Sequence, residues 1–559
     1  MNLKKKPLLS APENCIADEF VKAFVAFGVK YAFGISGGAI APLWNALLKS
    51  PIEVLHFRHE AGAAFAATEL SIATGDPVIV FSTTGPGITN SITGLLTARW
   101  EGAKVIFLSP NTPVHQHGRW AFQETSPYTL PIQGLLGAGS LFHYGISITS
   151  EEEVPQVLRR LDLGLSGPGG FVAHVNLPAS VQTLPIPSFF SARVSRSKPT
   201  ASIETIKKCA ALLNHERFII WVGFGARSAS KLIRDFAQKT GAPVMCSPRG
   251  KGIFPENHAQ FLGVTGYGGA ESLMDDVKKY APSRILVLGS RLGESTSFWR
   301  DELIPSNGFI HVDIDETVPG VSYPNVPTMG IQSDIGEFIN ELLKHIKSAN
   351  HPAFQISPPQ NDKRLVPPDG SVRHEVLMKM IQKVVVEKHN AMVIAEPGNS
   401  FAWGSRLLFQ EPRYRASTGF ASMGHATTGV LGLALANQGK AVAIVGDGAM
   451  LMNNEISTAV KYNLPILWII LNDAGYRMVD HGMRGCGYQD TDCSIPRADF
   501  VMISRGMGGD GVTVNTENTL EEALEVAMKA TVPFVLDVAT DPTCPPPFGG
   551  RMKTLVRPE

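Results

Sequence analysis

The sequence predicts an α/β protein with three doubly wound domains, each built on a parallel sheet that helices cover on both faces. One observation is a series of short apolar runs, many of them β-branched: VIVFS, KVIFLS, FIIWVG, RILVLG, FIHVDID, VAIVGDG, ILWIILN and PFVLDVA. Amphipathic stretches such as TLEEALEVAMKA alternate with these runs, and strands that are apolar throughout are typical of sheets buried on both faces. The length of 559 residues allows three or four domains at about 150 residues each.

Two proline-rich stretches divide the chain into thirds of similar size. They cover residues 177–188 and 351–370, and neither has helical or strand periodicity, so we expect both to be surface linkers. The predicted domains are therefore residues 1–185, 195–350 and 370–559.

The composition limits the classes of partner. The 50 Lys and Arg residues balance the 50 Asp and Glu residues, so the chain has no net field that would attract nucleic acid or an anionic membrane. Its apolar runs are shorter than the ~20 residues of a membrane span, and the start MNLKKKPLLS is too poor in apolar residues for a signal peptide. Six Cys residues without a CxxC pair predict neither a zinc site nor a disulfide framework. We expect a cytoplasmic protein that acts on a small molecule.

Glycine-rich strand ends in the last third carry the strongest chemical signal. One apolar strand leads into Gly446, Asp447 and Gly448, and the next ends at Asp473. Glycines at a strand end expose backbone N–H groups to a phosphate, and a helix N-terminus favours its charge. The two carboxylates and the carbonyl of Gly475 would suit a hard divalent cation. This pattern predicts a magnesium diphosphate site, with a helix expected from about Asn453; the alternative is an ordinary glycine turn after a buried strand.

These residues resemble the thiamine diphosphate (ThDP) motif of the ThDP-dependent decarboxylases and acetolactate (acetohydroxyacid) synthases. The resemblance implies that Asp447 and Asp473 bind Mg²⁺ by their side chains and Gly475 by its carbonyl. It also implies further cofactor contacts, namely Gly446, Gly448, Ala449, Tyr476 and Met478. The chain departs from the family in two ways: the second Asn of the motif is Asp473, and the spacer is about one residue short. Neither departure removes an oxygen ligand.

Three segments of the first third resemble the pyrimidine-binding domain of acetolactate synthases. They are FGISGGAIAPLWNAL, RHEAGAAFAATELSIATGDP and TTGPGITNSITGLLTA. The first contributes Gly37 and Gly38 as cofactor contacts. The second places Glu60 among small apolar residues, in a dry cleft where it could share a proton with a ring nitrogen. By resemblance Glu60 bonds N1′ of the aminopyrimidine and activates the cofactor; the alternative is a helix N-terminal carboxylate favoured by the dipole.

The loop PVHQHGRWAFQE is similar to the family loop that ends in FQE. The resemblance implies that Gln123 orients the substrate oxygen or carboxylate and that Phe122 packs in the pocket. His115 and His117 are ambiguous, because the decarboxylase branch uses a His pair here for proton delivery whereas the synthase branch does not.

Two segments of the last third resemble further cofactor-binding parts of the family. In VIAEPGNSFAWG, Gly398, Asn399 and Ser400 occupy positions that present donors to the diphosphate. In STGFASMGHATTGVLGLALA, Met423 takes the place of the residue that bends the cofactor, and the carbonyl of Ala421 would accept a hydrogen bond from the 4′-amino group. Plain packing is the alternative for Met423.

The middle third indicates a ligand only weakly. FIIWVGFGARSAS offers a strand followed by GxGxR, and a single glycine fingerprint is weak evidence for a dinucleotide. The flavin-containing synthases bind FAD in this domain, yet GSRLGEST departs from their GARFDDR pattern. The expected cofactors are ThDP and Mg²⁺; FAD is an alternative that this departure disfavours.

The resemblance implies a carboligase that decarboxylates a 2-oxo acid and joins the acyl unit to a second carbonyl, giving an acetolactate-like or acyloin product. The FQE loop and the lack of adjacent His residues favour ligation over the main competing hypothesis, a decarboxylase that releases an aldehyde. Two weaker hypotheses are a non-catalytic protein on the same fold and a nicotinamide-dependent oxidoreductase. Synthases that accept 2-oxobutyrate have a Trp at about the position of Gly482. Because the absence of this indole enlarges the pocket, the resemblance suggests a larger or aromatic acceptor. By analogy we expect a homodimer or homotetramer with active sites at subunit interfaces.

Overall fold

Three six-stranded parallel sheets form the protein, one in each third of the chain. The computed structural model describes residues 14–129, 141–188, 195, 197–348, 370–437, 439–489 and 491–547. Most consecutive strands are joined by a segment that contains a helix, since parallel pairing requires a crossover connection. The predicted α/β fold class is confirmed.

The N-terminal sheet has the order β2-β1-β3-β4-β6-β5. Its strands are β1 Tyr31–Gly34, β2 Glu53–His56, β3 Val78–Phe81, β4 Lys104–Ser109, β5 Tyr144–Ser147 and β6 Phe171–Asn176. Its α-helices are Ile16–Ala26, Ala41–Leu48, Glu60–Thr74, Pro86–Glu101, Val154–Leu165 and Ala179–Gln182. The direction of strand addition reverses between β1 and β3, and ligands of open α/β sheets bind at such a switch point, beyond the carboxyl ends of the strands.

The central sheet has the order β12-β11-β10-β7-β8-β9. Its strands are β7 Phe218–Val222, β8 Val244–Cys246, β9 Phe261–Val264, β10 Arg284–Leu288, β11 Phe309–Asp313 and β12 Thr328–Gln332. Its α-helices are Ile203–His215, Ser230–Thr240, Ser272–Tyr280, Glu294–Ser297 and Ile335–His345. Here the switch point lies between β7 and β10, in the strand order found in dinucleotide-binding folds.

The C-terminal sheet has the order β14-β13-β15-β16-β18-β17. Its strands are β13 Met392–Ala395, β14 Tyr414–Ala416, β15 Ala441–Gly446, β16 Ile466–Asn472, β17 Asp510–Val514 and β18 Phe534–Ala539. Its α-helices are His374–Ile381, Asn399–Gly404, His425–Asn437, Asp447–Met450, Ile456–Lys461, Arg477–Gly485, Phe500–Gly506 and Leu520–Lys529, and a π-helix covers Gln382–Lys388. Its switch point lies between β13 and β15.

The chain divides into two compact units. One comprises residues 1–196 with 428–436, and the other comprises residues 197–427 with 437–559. Within the second unit the central and C-terminal sheets are packed together, since the ring of Tyr267 stacks on that of Phe401 with centroids 5.2 Å apart. A fully buried ion pair joins Lys251 Nζ to Glu256 at 2.6 Å, and the same Nζ donates to the carbonyl of Ser405.

The two predicted linkers differ from the expectation. In the stretch 177–188 the structure forms a short helix, and Leu177, Val181 and Ile186 are buried in the core of the first unit. Gln182 is also buried and donates to the carbonyl of Ala39. The prediction of a surface linker is therefore wrong here, because proline breaks periodicity without preventing burial. The second stretch lies outside the described residues except for Gly370.

Among the described residues, no helix combines the length and apolar character needed to cross a bilayer.

Candidate functional site

In the first unit, the loops after β1 and β3 meet at the switch point of the sheet. A Cβ at Gly37 would lie 2.4 Å from Thr83 Oγ1, so glycine is needed for this close approach. Gly38 follows at the start of a 3₁₀ turn with open space beside it. The two predicted glycines therefore lie at the edge where a ligand of an α/β sheet would bind.

Glu60 is the first residue of the helix Glu60–Thr74 and is buried. Asn90 Nδ2 donates to its Oε2 at 3.2 Å, and a Cβ at Gly87 would lie 3.3 Å from its Oε1. The ring of His59 caps the helix by accepting from the backbone N–H of Ala61. The carboxylate is thus buried at a helix N-terminus, beside the β3 loop. This position is compatible with both interpretations of Glu60, as the group that bonds the pyrimidine and as a carboxylate favoured by the helix dipole.

Gln123 lies beside the same β3 loop. Its backbone has φ +53°, Thr83 Oγ1 approaches its Oε1 at 3.5 Å, and its carbonyl lies 3.2 Å from the Cβ position of Gly85. Phe122, expected to pack in a pocket, is instead 90% exposed. Because the active sites are expected at subunit interfaces, a role for Phe122 in the pocket stays a prediction.

A carboxylate that the sequence analysis missed, Glu124, organises this loop. Its two oxygens accept from Gly118 N at 2.6 Å, Ala121 N at 3.2 Å and Ser126 Oγ at 2.6 Å. The bonds from Ser126 and Gly118 hold the pKa of Glu124 below its usual value. The available sequence signal for this role was the position of Glu124 directly after Gln123 and before the hydroxyl residues Thr125 and Ser126.

The two ambiguous His residues differ in their surroundings. His115 is exposed, whereas the Nε2 of His117 donates to the carbonyl of Thr112 at 2.7 Å.

In the second unit, Asp447 follows β15 and Asp473 follows β16. Both carboxyl groups are buried. Asp447 accepts from Gly448 N at 2.7 Å and from Gly475 N at 3.2 Å. Burial raises the pKa of Asp447, and burial together with the nearby charge of Asp447 raises the pKa of Asp473 to about 8. Two buried carboxyl groups that oppose each other's ionisation are the kind of pair that a divalent cation stabilises.

The rest of the cation site is made of backbone. Ala474 has φ +54°, and after this turn the N–H of Gly475 donates to Asp447 while its carbonyl accepts from Arg477 N at 2.9 Å. Within the described residues no cluster of three or more His, Cys, Asp or Glu side chains suits a metal. A metal here would therefore be bound by two carboxylates, the carbonyl of Gly475 and oxygen atoms of the predicted diphosphate. Arg477 Nε lies 3.9 Å from Asp473 Oδ1. The donor set fits Mg²⁺, which prefers oxygen and keeps several ligands from outside the protein.

The helix expected from about Asn453 begins elsewhere. One short helix starts directly at Asp447 and a second starts at Ile456, after Glu455 in the left-handed conformation. The first strand end therefore passes straight into a helix, and its residues Gly446, Asp447, Gly448 and Ala449 lie in that turn.

Gly398, Asn399 and Ser400 begin a helix at the neighbouring strand end. Gly398 has φ +119°, and Ser400 is buried. Asn399 Oδ1 is buried and has no hydrogen-bond partner within the described residues. Because an amide can exchange its oxygen and nitrogen by a flip, this side chain offers a donor or an acceptor to a ligand.

Met423, Gly448 and Tyr476 converge beside these loops. A Cβ at Gly448 would lie 2.6 Å from Tyr476 Cε1 and 3.6 Å from Met423 Cε. Ala421, two residues before Met423, has φ +53°. Met478 accepts at Sδ from the hydroxyl of Tyr267 at 3.0 Å. The residues predicted around the diphosphate and metal thus lie at one edge of the C-terminal sheet.

The glycine fingerprint of the central sheet has a packing role. A Cβ at Gly223 would lie 2.3 Å from the carbonyl of Gly289, and Gly225 N donates to that carbonyl at 2.9 Å. The N–H of Ala226 donates to the carbonyl of Gly223. These groups are therefore engaged with the protein itself.

The chain is similar to known proteins in all three of its domains. Residues 15–130, 206–342 and 396–538 match three family models, described as the N-terminal TPP binding domain, the central domain and the C-terminal TPP binding domain of thiamine pyrophosphate enzymes. A probable acetolactate synthase large subunit of Methanocaldococcus jannaschii is 28% identical over 97% of this chain and 95% of its own. Two acetolactate synthase large subunits of Escherichia coli are similar as well: isozyme 1 is 26% identical over 94% of this chain and 93% of its own, and isozyme 3 is 28% identical over 94% of each.

Proposed function

Because the chain belongs to the acetolactate synthase-like thiamine pyrophosphate enzymes, we propose that it is a Mg²⁺-dependent carboligase of 2-oxo acids. It decarboxylates pyruvate or a larger 2-oxo acid and joins the acyl unit to a second carbonyl compound. When bound, ThDP supplies a nucleophilic carbon and takes up the electrons released with carbon dioxide.

The observation that carries the proposal is the polar edge of the C-terminal sheet. Asp447 and Asp473 are both buried, and the charge of Asp447 contributes to raising the pKa of Asp473. Asn399 presents a buried amide oxygen that has no partner within the described residues. In the proposal the two carboxylates and the carbonyl of Gly475 hold Mg²⁺. The turns Gly446–Ala449 and Gly398–Ser400 then receive the diphosphate on backbone N–H groups.

The first unit supplies the proton-handling groups of the proposal. Glu60 forms a hydrogen bond with a pyrimidine nitrogen, and its buried position at a helix N-terminus beside Asn90 fixes the direction of that bond. Gln123 orients the substrate by hydrogen bonding, and Glu124 fixes the backbone on which Gln123 stands.

In the proposal, Asp480 and His481 of the helix Arg477–Gly485 do not supply the proton that would release the acyl unit as an aldehyde. Hydrogen bonding from Arg484 and Arg477 holds the pKa of Asp480 below its usual value. Burial lowers the pKa of His481, whose Nε2 donates to the carbonyl of Pro542. These two groups are therefore poor acids at neutral pH.

Gly482, in the same helix, leaves open the position where the resemblance places a Trp in synthases that accept 2-oxobutyrate. A Cβ at Gly482 would meet no atom within 4 Å, so no side chain fills this position. We propose that the acceptor site also admits carbonyl compounds larger than pyruvate, that no flavin is needed, and that the enzyme is a homodimer or homotetramer with active sites at subunit interfaces, in the cytoplasm.

Product analysis tests the proposal. We expect the purified protein with ThDP, Mg²⁺ and pyruvate to yield acetolactate or acetoin, and a panel of aliphatic and aromatic carbonyl acceptors to define the second substrate. If free acetaldehyde were the sole product, the proposed ligation would be wrong and the enzyme would be a simple decarboxylase. Glu60→Gln should keep ThDP bound and slow turnover by orders of magnitude; unchanged turnover would overturn the role of Glu60.

A further inference from the structure

Glu396 is a buried carboxylate to which the sequence analysis assigned no role. It follows β13 directly and is 1% exposed. Its Oε1 accepts from Gly424 N at 2.6 Å, and its Oε2 accepts from Ala426 N at 2.8 Å and Thr427 N at 3.0 Å. The hydroxyl of Thr427 adds a fourth bond at 3.3 Å. One carboxylate thus binds a segment about thirty residues further along the chain.

The N–H groups of Ala426 and Thr427 belong to the first turn of the helix His425–Asn437, and that of Gly424 directly precedes it. The first N–H groups of a helix have no intrahelical partner, and a carboxylate there is also favoured by the helix dipole. Burial raises the pKa of Glu396, while the three backbone N–H groups act in the opposite direction. A buried acid is costly unless it is well hydrogen-bonded, so this arrangement fixes the segment firmly to the end of β13.

The segment held by Glu396 carries two of the predicted cofactor contacts. Met423 directly precedes Gly424. Ala421 lies two residues before Met423 and has a left-handed backbone conformation. On the other side, Glu396 is separated from Gly398 and Asn399 by Pro397 alone. The carboxylate therefore connects the loop proposed to contact the pyrimidine with the turn proposed to contact the diphosphate.

We propose that Glu396 is a positioning residue, which holds Ala421 and Met423 in the geometry that cofactor binding and turnover require. This inference rests on the proposed function and extends it to a residue that touches neither substrate nor cofactor. A purely structural helix cap would stabilise the fold without affecting cofactor handling.

Glu396→Gln is the main test. The amide keeps one oxygen acceptor but turns its NH₂ group toward backbone N–H groups, so at least one of the bonds to Gly424, Ala426 and Thr427 is lost. In the cofactor-free full-length protein we expect hydrogen–deuterium exchange of residues 417–427 to accelerate about tenfold. We expect the Kd for ThDP with Mg²⁺ to rise about tenfold and kcat at saturating ThDP to fall about thirtyfold, the range for a lost bond to a charged group.

Asp334→Asn is the matched control. Asp334 also caps a helix, since it accepts from Glu337 N at 3.0 Å. This helix, Ile335–His345, belongs to the central domain. We expect this variant to leave the Kd for ThDP and kcat within about twofold of wild type. Thr427→Val removes only the hydroxyl bond and serves if Glu396→Gln does not fold; we expect a two- to threefold change in the same direction.

Two outcomes would overturn the inference while leaving the proposed function intact. In one, the wild type binds ThDP and turns over, and Glu396→Gln changes neither Kd nor kcat more than Asp334→Asn does. In the other, exchange of residues 417–427 is unaltered in Glu396→Gln. A wild type that binds no ThDP with Mg²⁺ would instead overturn the proposed function, and this inference with it.

Discussion

The central and C-terminal sheets each contain a switch point, but they use the backbone there differently. In the central sheet, Gly223 N donates to Leu288 O and Gly225 N donates to Gly289 O, so the turns after β7 and β10 bind each other. In the C-terminal sheet, the turn after β13 carries the buried amide oxygen of Asn399, and the turns after β15 and β16 carry the buried carboxyl groups of Asp447 and Asp473. Strand order marks where a crevice can form, whereas the hydrogen bonds at that point decide whether a ligand can use it.

The largest expected effect is that of removing one charge from the C-terminal edge. Asp447→Asn should reduce turnover with pyruvate by at least about 10³-fold, because the proposed cation loses a carboxylate ligand. Asp313→Asn is the control, since Asp313 is also a carboxyl at a strand end whose pKa is raised by burial, but in the central sheet. Steady-state kinetics at varied Mg²⁺ measure both. Equal losses in the two variants would contradict the difference between the sheets.

A side chain at the central switch point should reduce stability instead. In Gly223→Ala the new Cβ would lie 2.3 Å from Gly289 O and 2.4 Å from Ser290 Cβ, and backbone cannot move aside cheaply. We expect the free energy of unfolding in urea to fall by about 2 kcal/mol. Gly293→Ala, with no atom within 4 Å of its Cβ, should change it by less than about 0.5 kcal/mol. A stable Gly223→Ala with weakened ThDP binding would assign the fingerprint to a ligand after all.

At the C-terminal switch point the same substitution should affect binding. Gly448→Ala would push against the ring of Tyr476, which is 45% exposed and able to move. We expect unfolding to be nearly unchanged and the Kd for ThDP to rise about tenfold, as the displaced ring enters the site. Calorimetric titration measures the affinity. A large loss of stability would show that Gly448, like Gly223, is a packing residue.

The smallest expected effect concerns the unsatisfied amide. Asn399→Ala should raise the Kd for ThDP about fivefold, since a polar contact to the ligand is lost. Unfolding of the cofactor-free protein should change by less than about 0.5 kcal/mol, because Oδ1 has no partner to lose within the described residues. A drop in stability without a change in affinity would mean that the amide serves the fold.

Local patterns predicted much of this molecule from the sequence. The apolar runs gave strands such as β15 and β16, and the motif residues at their ends lie at one sheet edge. The roles of the site residues stay predictions. Glu396 and Glu124 were missed as organisers, since a single carboxylate has no spacing signal and, for Glu396, the partners lie about thirty residues away. The buried stretch 177–188 was missed because its contacts are with distant residues such as Ala39.

Lys251, which forms a buried ion pair with Glu256 inside the central domain, also links the central sheet to the C-terminal sheet. Lys251 Nζ also binds the carbonyl of Ser405, just after the helix Asn399–Gly404. Separating the two sheets would break this hydrogen bond to a charged group, at a cost of about 1.5–3 kcal/mol, and would also expose the stacked rings of Tyr267 and Phe401. Calorimetry should therefore record one cooperative melting transition for both sheets, and a central domain expressed alone should aggregate.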